Sequence, residues 1–252
     1  MPFYIIERLS RPRLCVRVAR PPQGGFCFIG NTVKTRIYID GFNLYYGILR
    51  FRYSPEDPRG TLGRPKYRWL NIARMCGLLL PEHQILGYKY FTALVRPRPE
   101  DVEKRVRQRV FIRALETIPD FEIIRGRFQT HPVMMRLTNP PSGGPAFVEV
   151  FKTEEKGSDV NLAAHLVNDA HLDKFDVGVI VSNDSDLAEA IRIVTTQLHK
   201  EIGIINPQKR PSETLHAHAT FHKRIREGVL AASQFPDTMT DHRGSFHKPE
   251  CW

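Results

Sequence analysis

Cysteine is scarce in this chain, and what there is of it is unpaired in pattern. Cys15, Cys27, Cys76 and Cys251 are the four in 252 residues. Neither disulfide-framework nor metal-ligand spacing links them, which argues against a stapled scaffold or a zinc site and for a reducing, cytoplasmic setting. Long apolar runs are missing too: no stretch of about eighteen apolar residues occurs, so no transmembrane helix is expected. Acids are outnumbered, 27 Asp and Glu against 37 Lys and Arg, for a formal charge of +10. That balance favours a polyanionic partner, nucleic acid before an anionic membrane surface.

What is present suffices for a folded domain: 41% of the residues are hydrophobic, and the length fits one generous domain with appendages. Residues 1–34 stand apart, because Arg8, Arg11, Arg13, Arg17 and Arg20 face one acid, Glu7, and a Pro-Pro-Gln-Gly-Gly run follows. The stretch superficially looks like an organelle targeting peptide, yet it lacks the apolar core of a secretory signal, and a flexible basic arm is the expectation. The folded region is expected over 35–233, with a disordered tail over 234–252.

The chain is organised around Val177-Gly-Val-Ile-Val-Ser-Asn-Asp-Ser-Asp-Leu187. Its apolar run suits a strand buried on both faces of a parallel sheet. Ser185 is the expected cap of a following helix with Leu187, Ala190, Ile191, Val194 and Leu198 at helical spacing. Asp184 and Asp186 then sit at a strand-to-helix junction, the end of an open α/β sheet where ligands usually bind. Either acid alone reads equally as a cap or a turn residue. The argument strengthens where other segments deliver acids to similar junctions.

Two segments do so. Thr35-Arg-Ile-Tyr-Ile-Asp-Gly-Phe-Asn43 reads as a strand ended by Asp40, a turn at Gly41 and a helix near Asn43. Glu154-Glu-Lys-Gly-Ser-Asp159 leads into a helix capped by Ser158, with Val160, Ala163, Ala164, Val167 and Ala170 as its packing face. Glu154, Glu155, Asp169, Asp173 and Asp176 read as surface or capping residues. Between these motifs, a loop is expected over 51–68, helices over 70–80 and 100–118, and strands over 85–95 and 121–128. A long loop over 131–145 follows, as the tip of a hairpin whose second arm is 146–152. A strand over 201–206 and one helix over 212–232 close the domain. Lys104, Arg105, Arg107, Arg109 and Arg113 make the helix over 100–118 the densest basic stretch, either a phosphate contact or a solvated face. His216, His218 and His222 lack a nearby acid or Cys to complete a metal site.

Taken in order, Tyr38-Ile-Asp-Gly-Phe-Asn-Leu-Tyr45, Tyr67-Arg-Trp-Leu70, Glu155-Lys-Gly-Ser-Asp-Val160 and Ser182-Asn-Asp-Ser-Asp-Leu187 resemble the successive motifs of the NYN domain family. This is a branch of the PIN-like nucleases, and the likeness is greatest to its bacterial LabA-like members. The resemblance spans Thr35 to Arg226. It implies a three-layer α/β/α sandwich with a mainly parallel central sheet, and an acidic cluster, Asp40, Asp159, Asp184 and Asp186, around one or two divalent metals. Asn43 lies beside the first acid and Lys156 matches the family's lysine; with Ser182 and Ser185 they are the expected substrate contacts. Asn183 stands where the family usually has Gly, and Leu187 where it has an aromatic residue; Asn is the next-best residue for a left-handed turn.

Gathered carboxylates repel unless a cation joins them, and hard oxygen ligands select Mg²⁺ or Mn²⁺ over zinc. Such ions assist in-line displacement at a phosphodiester. The expectation is therefore a metal-dependent endoribonuclease acting on RNA, with DNA and a homodimer left open and no membrane partner. An RNA-binding module without turnover and a phosphatase are the alternatives. The phosphatase reading suffers because its acid pair normally comes early in the chain.

Overall fold

The computed structural model describes residues 32–49, 65–97 and 101–252. The basic arm expected over 1–34 and the loop over 51–68 fall almost entirely outside them. From Thr32 to Trp252 the described residues form one unit, and no helix among them is long and apolar enough to cross a membrane.

Along the chain, β1 (Val33–Asp40) enters the short helix α1 (Gly41–Leu44), which continues in π-helical turns over Tyr45–Leu49. After a 3₁₀ turn at Pro65–Tyr67 come α2 (Ile72–Leu79), β2 (His83–Thr92), α3 (Lys104–Leu115) and β3 (Phe121–Arg125). Next are the paired strands β4 (Arg127–Arg136) and β5 (Phe147–Lys156), then α4 (Ser158–His171) and β6 (Val177–Val181). A 3₁₀ turn at Ser185–Leu187 runs into α5 (Ala188–Thr196), followed by β7 (Glu201–Asn206), α6 (Glu213–His216) and β8 (Phe221–Arg224). The chain ends in α7 (Glu227–Ala232), β9 (Thr238–Asp241) and β10 (Gly244–His247).

Six strands form one parallel sheet in the order β3-β2-β1-β6-β7-β8. The alternation of side chains divides the core into two layers. Ile37, Ile39, Val177, Val179, Val181 and Ile205 point to the side covered by α1, α2, α3 and α7. Tyr38, Ile180, Ile202 and Ile204 point to the other side, under Leu162, Leu166 and Ala170 of α4 and Ile191 and Val194 of α5. The result is the expected α/β fold, a three-layer α/β/α sandwich. β6 is buried at all five positions, Val177 to Val181, as its unbroken apolar run requires. Strand order runs outward in opposite directions from β1 and β6, so the sheet's switch point lies between them, where a crevice opens at the carboxyl ends.

Several local expectations are corrected. The helix expected over 212–232 is two short helices separated by β8, whose Phe221 ring lies over Gly203 of β7, so close that a Cβ there would overlap it. A four-residue polar edge strand carries too little apolar alternation to be read as one. The first hairpin arm is β4, which runs through Pro132 to Arg136 in register with β5; an edge strand tolerates a proline because its N–H need not join a ladder. On α4 the expected Ala163, Val167 and Ala170 do pack, together with Leu162 and Leu166, while Val160 is exposed. On α3, Phe111, Ala114 and Leu115 pack and Val106 stays in solvent. Two of its cations are held in ion pairs, Arg107 by Asp101 and Arg113 by Asp241. The tail expected to be disordered from residue 234 instead forms the β9–β10 hairpin. Phe235, Phe246 and Trp252 lie 5.6, 6.5 and 6.3 Å from the ring of the fully buried Trp69.

Candidate metal centre

Asp40 is the last residue of β1 and the N-cap of α1: its Oδ1 accepts from the Asn43 N–H at 2.8 Å. Gly41 is required next, because a Cβ there would lie 2.6 Å from the Tyr90 ring and 2.9 Å from the Phe91 carbonyl. One strand over, β6 ends at Val181, and the buried Ser182 donates its hydroxyl to Asp40 Oδ2 at 3.0 Å while accepting from the Asp184 N–H at 3.1 Å. Asp184 caps the 3₁₀ turn, its Oδ1 accepting from the Asp186 N–H at 3.1 Å. That role was expected of Ser185, which is exposed. An acceptor with formal charge and the right reach takes the cap from its neighbour.

The third acid comes from α4. This helix starts after Gly157, at φ 100°, and is capped not by Ser158 but by Glu155, whose Oε1 accepts from the Ser158 N–H and hydroxyl at 3.2 and 2.8 Å. The tight turn presents Asp159 to the sheet end. Carboxylate oxygens of Asp40, Asp159 and Asp184 lie within 4.8 Å of one another, and none of the three is ion-paired to a Lys or Arg among the described residues. Burial is the main reason the Asp40 carboxyl is pushed up to about 6, with Asp159 and Asp184 adding to it and the Asn43 and Ser182 hydrogen bonds opposing. Asp159 is raised as well, by burial first and then by Asp184, Glu155 and Asp186. Three carboxylates this close, with no Lys or Arg paired to them among the described residues, could hold a metal ion.

The other expected site residues divide. Asp186 lies on the exposed rim, outside the three-acid cluster. Lys156 turns to Glu154 at 3.0 Å and does not line the cleft. The side chain of Asn43 does not cap a helix; its Oδ1 accepts from the Asn183 N–H at 3.1 Å and Gln208 Nε2 at 3.3 Å. Asn183 does not take the left-handed angle expected of it. Its side chain instead donates to Gln208 Oε1 and the Arg210 carbonyl and accepts from the Ser212 N–H, tying the β6 and β7 loops together. His216 and His222 stack at 3.7 Å, well apart from the acids in sequence and on α6 and β8.

Asp40, Asp159 and Asp184 lie in a cleft of about 360 Å³, walled by Phe42, Tyr46, Phe128, Asn43, Glu155 and Gln208. Phe42 meets Phe128 edge to face at 5.7 Å and stacks with Tyr46 at 6.3 Å. Sequence reasoning missed this aromatic wall. Phe42 and Tyr46 were visible as aromatic residues four apart just after Asp40, but Phe128 joins them only through the β4–β5 hairpin.

No protein-family model matches the chain. It is 31% identical over 250 residues to the 6-hydroxy-3-succinoylpyridine 3-monooxygenase HspA of Pseudomonas putida (strain DSM 28022 / S16), a match covering 87% of this chain and 75% of that protein. The chain belongs to the HspA family. A similar solved structure is that of a protein of unknown function, VPA0982, from Vibrio parahaemolyticus RIMD 2210633, 19% identical, with a TM-score of 0.46 over 78% of this chain and 94% of that one. The match to the HspA family extends over most of the chain, so it takes in the sheet and the cleft together.

Proposed function

We propose that this HspA-family chain is a divalent-metal-dependent hydrolase of phosphodiester bonds, with RNA as its substrate. The observation that carries the reading is the meeting of Asp40, Asp159 and Asp184, from three elements, within 4.8 Å at the switch point of the sheet. An all-carboxylate donor set suits Mg²⁺ or Mn²⁺ and offers neither nitrogen nor sulfur to softer metals. When bound, such an ion supplies Lewis-acid assistance at a phosphate. The chain's own residues do the rest. Ser182 and the Asn43 N–H hold Asp40 by both oxygens. Asp186 extends the negative rim, and Glu155 lines the same cleft while its Oε1 is engaged at the helix cap. Phe42, Tyr46 and Phe128 offer faces on which bases stack. The +10 charge of the chain favours a polyanionic partner. Cleavage of a labelled single-stranded RNA by the parent in Mn²⁺, abolished by EDTA and by Asp184→Asn with the fold retained, is the expected result; RNA bound but uncut with either metal would sink the reading.

A second reading follows from the relative's name, in which one oxygen atom of O₂ enters a hydroxypyridine ring at the expense of a two-electron donor. Among the described residues the centre lacks the two histidines of the usual non-haem iron triad, so this reading calls for a reduced flavin, re-reduced by a nicotinamide, to activate oxygen. Oxygen uptake with a reduced nicotinamide or flavin and 6-hydroxy-3-succinoylpyridine, insensitive to Asp184→Asn, would favour it over hydrolysis.

A further inference from the structure

A second cavity, of about 310 Å³, adjoins the acidic cleft and shares Phe42 and Tyr46 with it as a common wall. Tyr45, Phe111 and Trp252 add aromatic surface, and Tyr90 and Thr92 also line it. The volume is within the range of small-ligand pockets. Among the described residues, Arg68 and Arg107 line it with one acid, Asp101, which is engaged by Arg107 Nη2 through both oxygens, at 2.5 and 2.6 Å.

Arg68 is set differently. Its Nε donates to the Leu49 carbonyl at 3.3 Å and its guanidinium lies 5.8 Å from the centre of the Tyr45 ring. These contacts fix the plane of the fork and leave both terminal nitrogens without a partner among the described residues. A half-buried guanidinium held so, beside aromatic faces, is a preformed receptor for an anion attached to a flat ring.

We propose that this cavity binds a planar heteroaromatic ring bearing an anionic arm, the ring against Tyr45, Tyr46 and Trp252 and the anion at Arg68. The shared wall then places the bound molecule beside the three-acid centre. The proposal rests on neither reading of the reaction, since a nucleobase with its phosphate and a hydroxypyridine with its carboxylate share this chemistry.

The test is binding to the full chain in EDTA, where turnover is absent, with uridine 5′-monophosphate in one arm and 6-hydroxynicotinate in the other, read by calorimetry and by quenching of tryptophan fluorescence. The expected result is saturable binding of at least one ligand, weakened about tenfold or more by Arg68→Gln and by Tyr45→Leu. The quench should shrink in Trp252→Phe, and affinity should be unchanged in Asp184→Asn. Which arm binds more tightly identifies the source of the ring. The proposal is overturned if neither ligand binds up to 10 mM (roughly the weakest useful affinity), if binding survives both Arg68→Gln and Tyr45→Leu, or if it appears only when Mn²⁺ is added and is lost in Asp184→Asn. Trp252→Phe, a conservative change near the chain end, keeps the test open should either other variant fail to fold.

Discussion

Helix α4 carries one acid to a buried site and another to an open cleft, and the two are opposites. Near its C-terminal end, Asp169 is fully buried and surrounded by donors: Lys89 Nζ at 2.7 Å, the Tyr38 hydroxyl at 2.9 Å and Lys174 Nζ at 3.2 Å. Burial pushes its carboxyl up, but these hydrogen bonds and charges outweigh it and hold the pKa below the usual range. At its N-terminal end, Asp159 joins Asp40 and Asp184, and the pKa values of Asp40 and Asp159 go the other way. The Asp169 site is complete as the chain folds. The Asp40 site gathers three carboxylates with no cation paired to them among the described residues, and could take one from outside, which is the contrast that marks it as the candidate functional site.

The largest expected effect comes from breaking the complete site. Asp169→Ala leaves Lys89, 5% exposed, without its buried partner and should cost about 3–5 kcal/mol in urea denaturation, with Mn²⁺ affinity unchanged in whatever fraction folds. A midpoint equal to the parent's would erase the distinction drawn here.

At the incomplete site the sign reverses. The folded pKa of Asp40, about 6, lies above the unfolded value of about 3.9. Between those values the folded state keeps a proton that the unfolded chain has lost, so the contribution of this carboxyl to stability is greatest below about pH 4, falls as pH rises, and bears the full cost above about pH 6. That cost is roughly 3 kcal/mol. Melting temperature measured against pH should fall over this window in EDTA and recover at neutral pH with Mn²⁺, whereas Asp40→Asn should flatten the profile. A melting temperature that rises from pH 4 to 6 in EDTA would contradict the assignment.

Gly41→Ala probes the support rather than the charge. A methyl group overlapping Tyr90 and the Phe91 carbonyl should cost about 1–3 kcal/mol and shift Asp40, so Mn²⁺ binding weakens along with stability. If stability alone changes, the position of Asp40 is less dependent on the close approach than argued. The smallest effect is reserved for the rim: Asp186→Asn should alter stability by no more than about 0.5 kcal/mol and lower metal affinity less than Asp184→Asn does, by calorimetric titration.

The regular parts of this protein were legible because they obey simple periodicities. An unbroken apolar run could only be a central strand, and Asp40, Asp159 and Asp184 were each found as an acid at an element boundary. Caps were assigned to the wrong residues, Ser158 and Ser185, because sequence shows which side chains are able to cap but not which reach the open N–H first; Glu155 and Asp184 do. β8 and the β9–β10 hairpin escaped because edge strands are short and polar, and the hydrophobic signal of Phe235, Phe246 and Trp252 has meaning only once Trp69 is beside them.

By itself, then, the sequence determined the class of fold, the order of the main elements and the acids worth watching, since these depend on local pattern and on spacing along the chain. Tertiary structure alone decided that three of the acids share one site while Asp169 is neutralised and Asp186 stays at the rim. It also decided that Phe128 and Trp252 come to wall the two cavities. Those outcomes depend on contacts between segments far apart in the chain, such as Asp40 with Asp184 and Phe42 with Phe128, and on burial, which pushes the Asp40 carboxyl up.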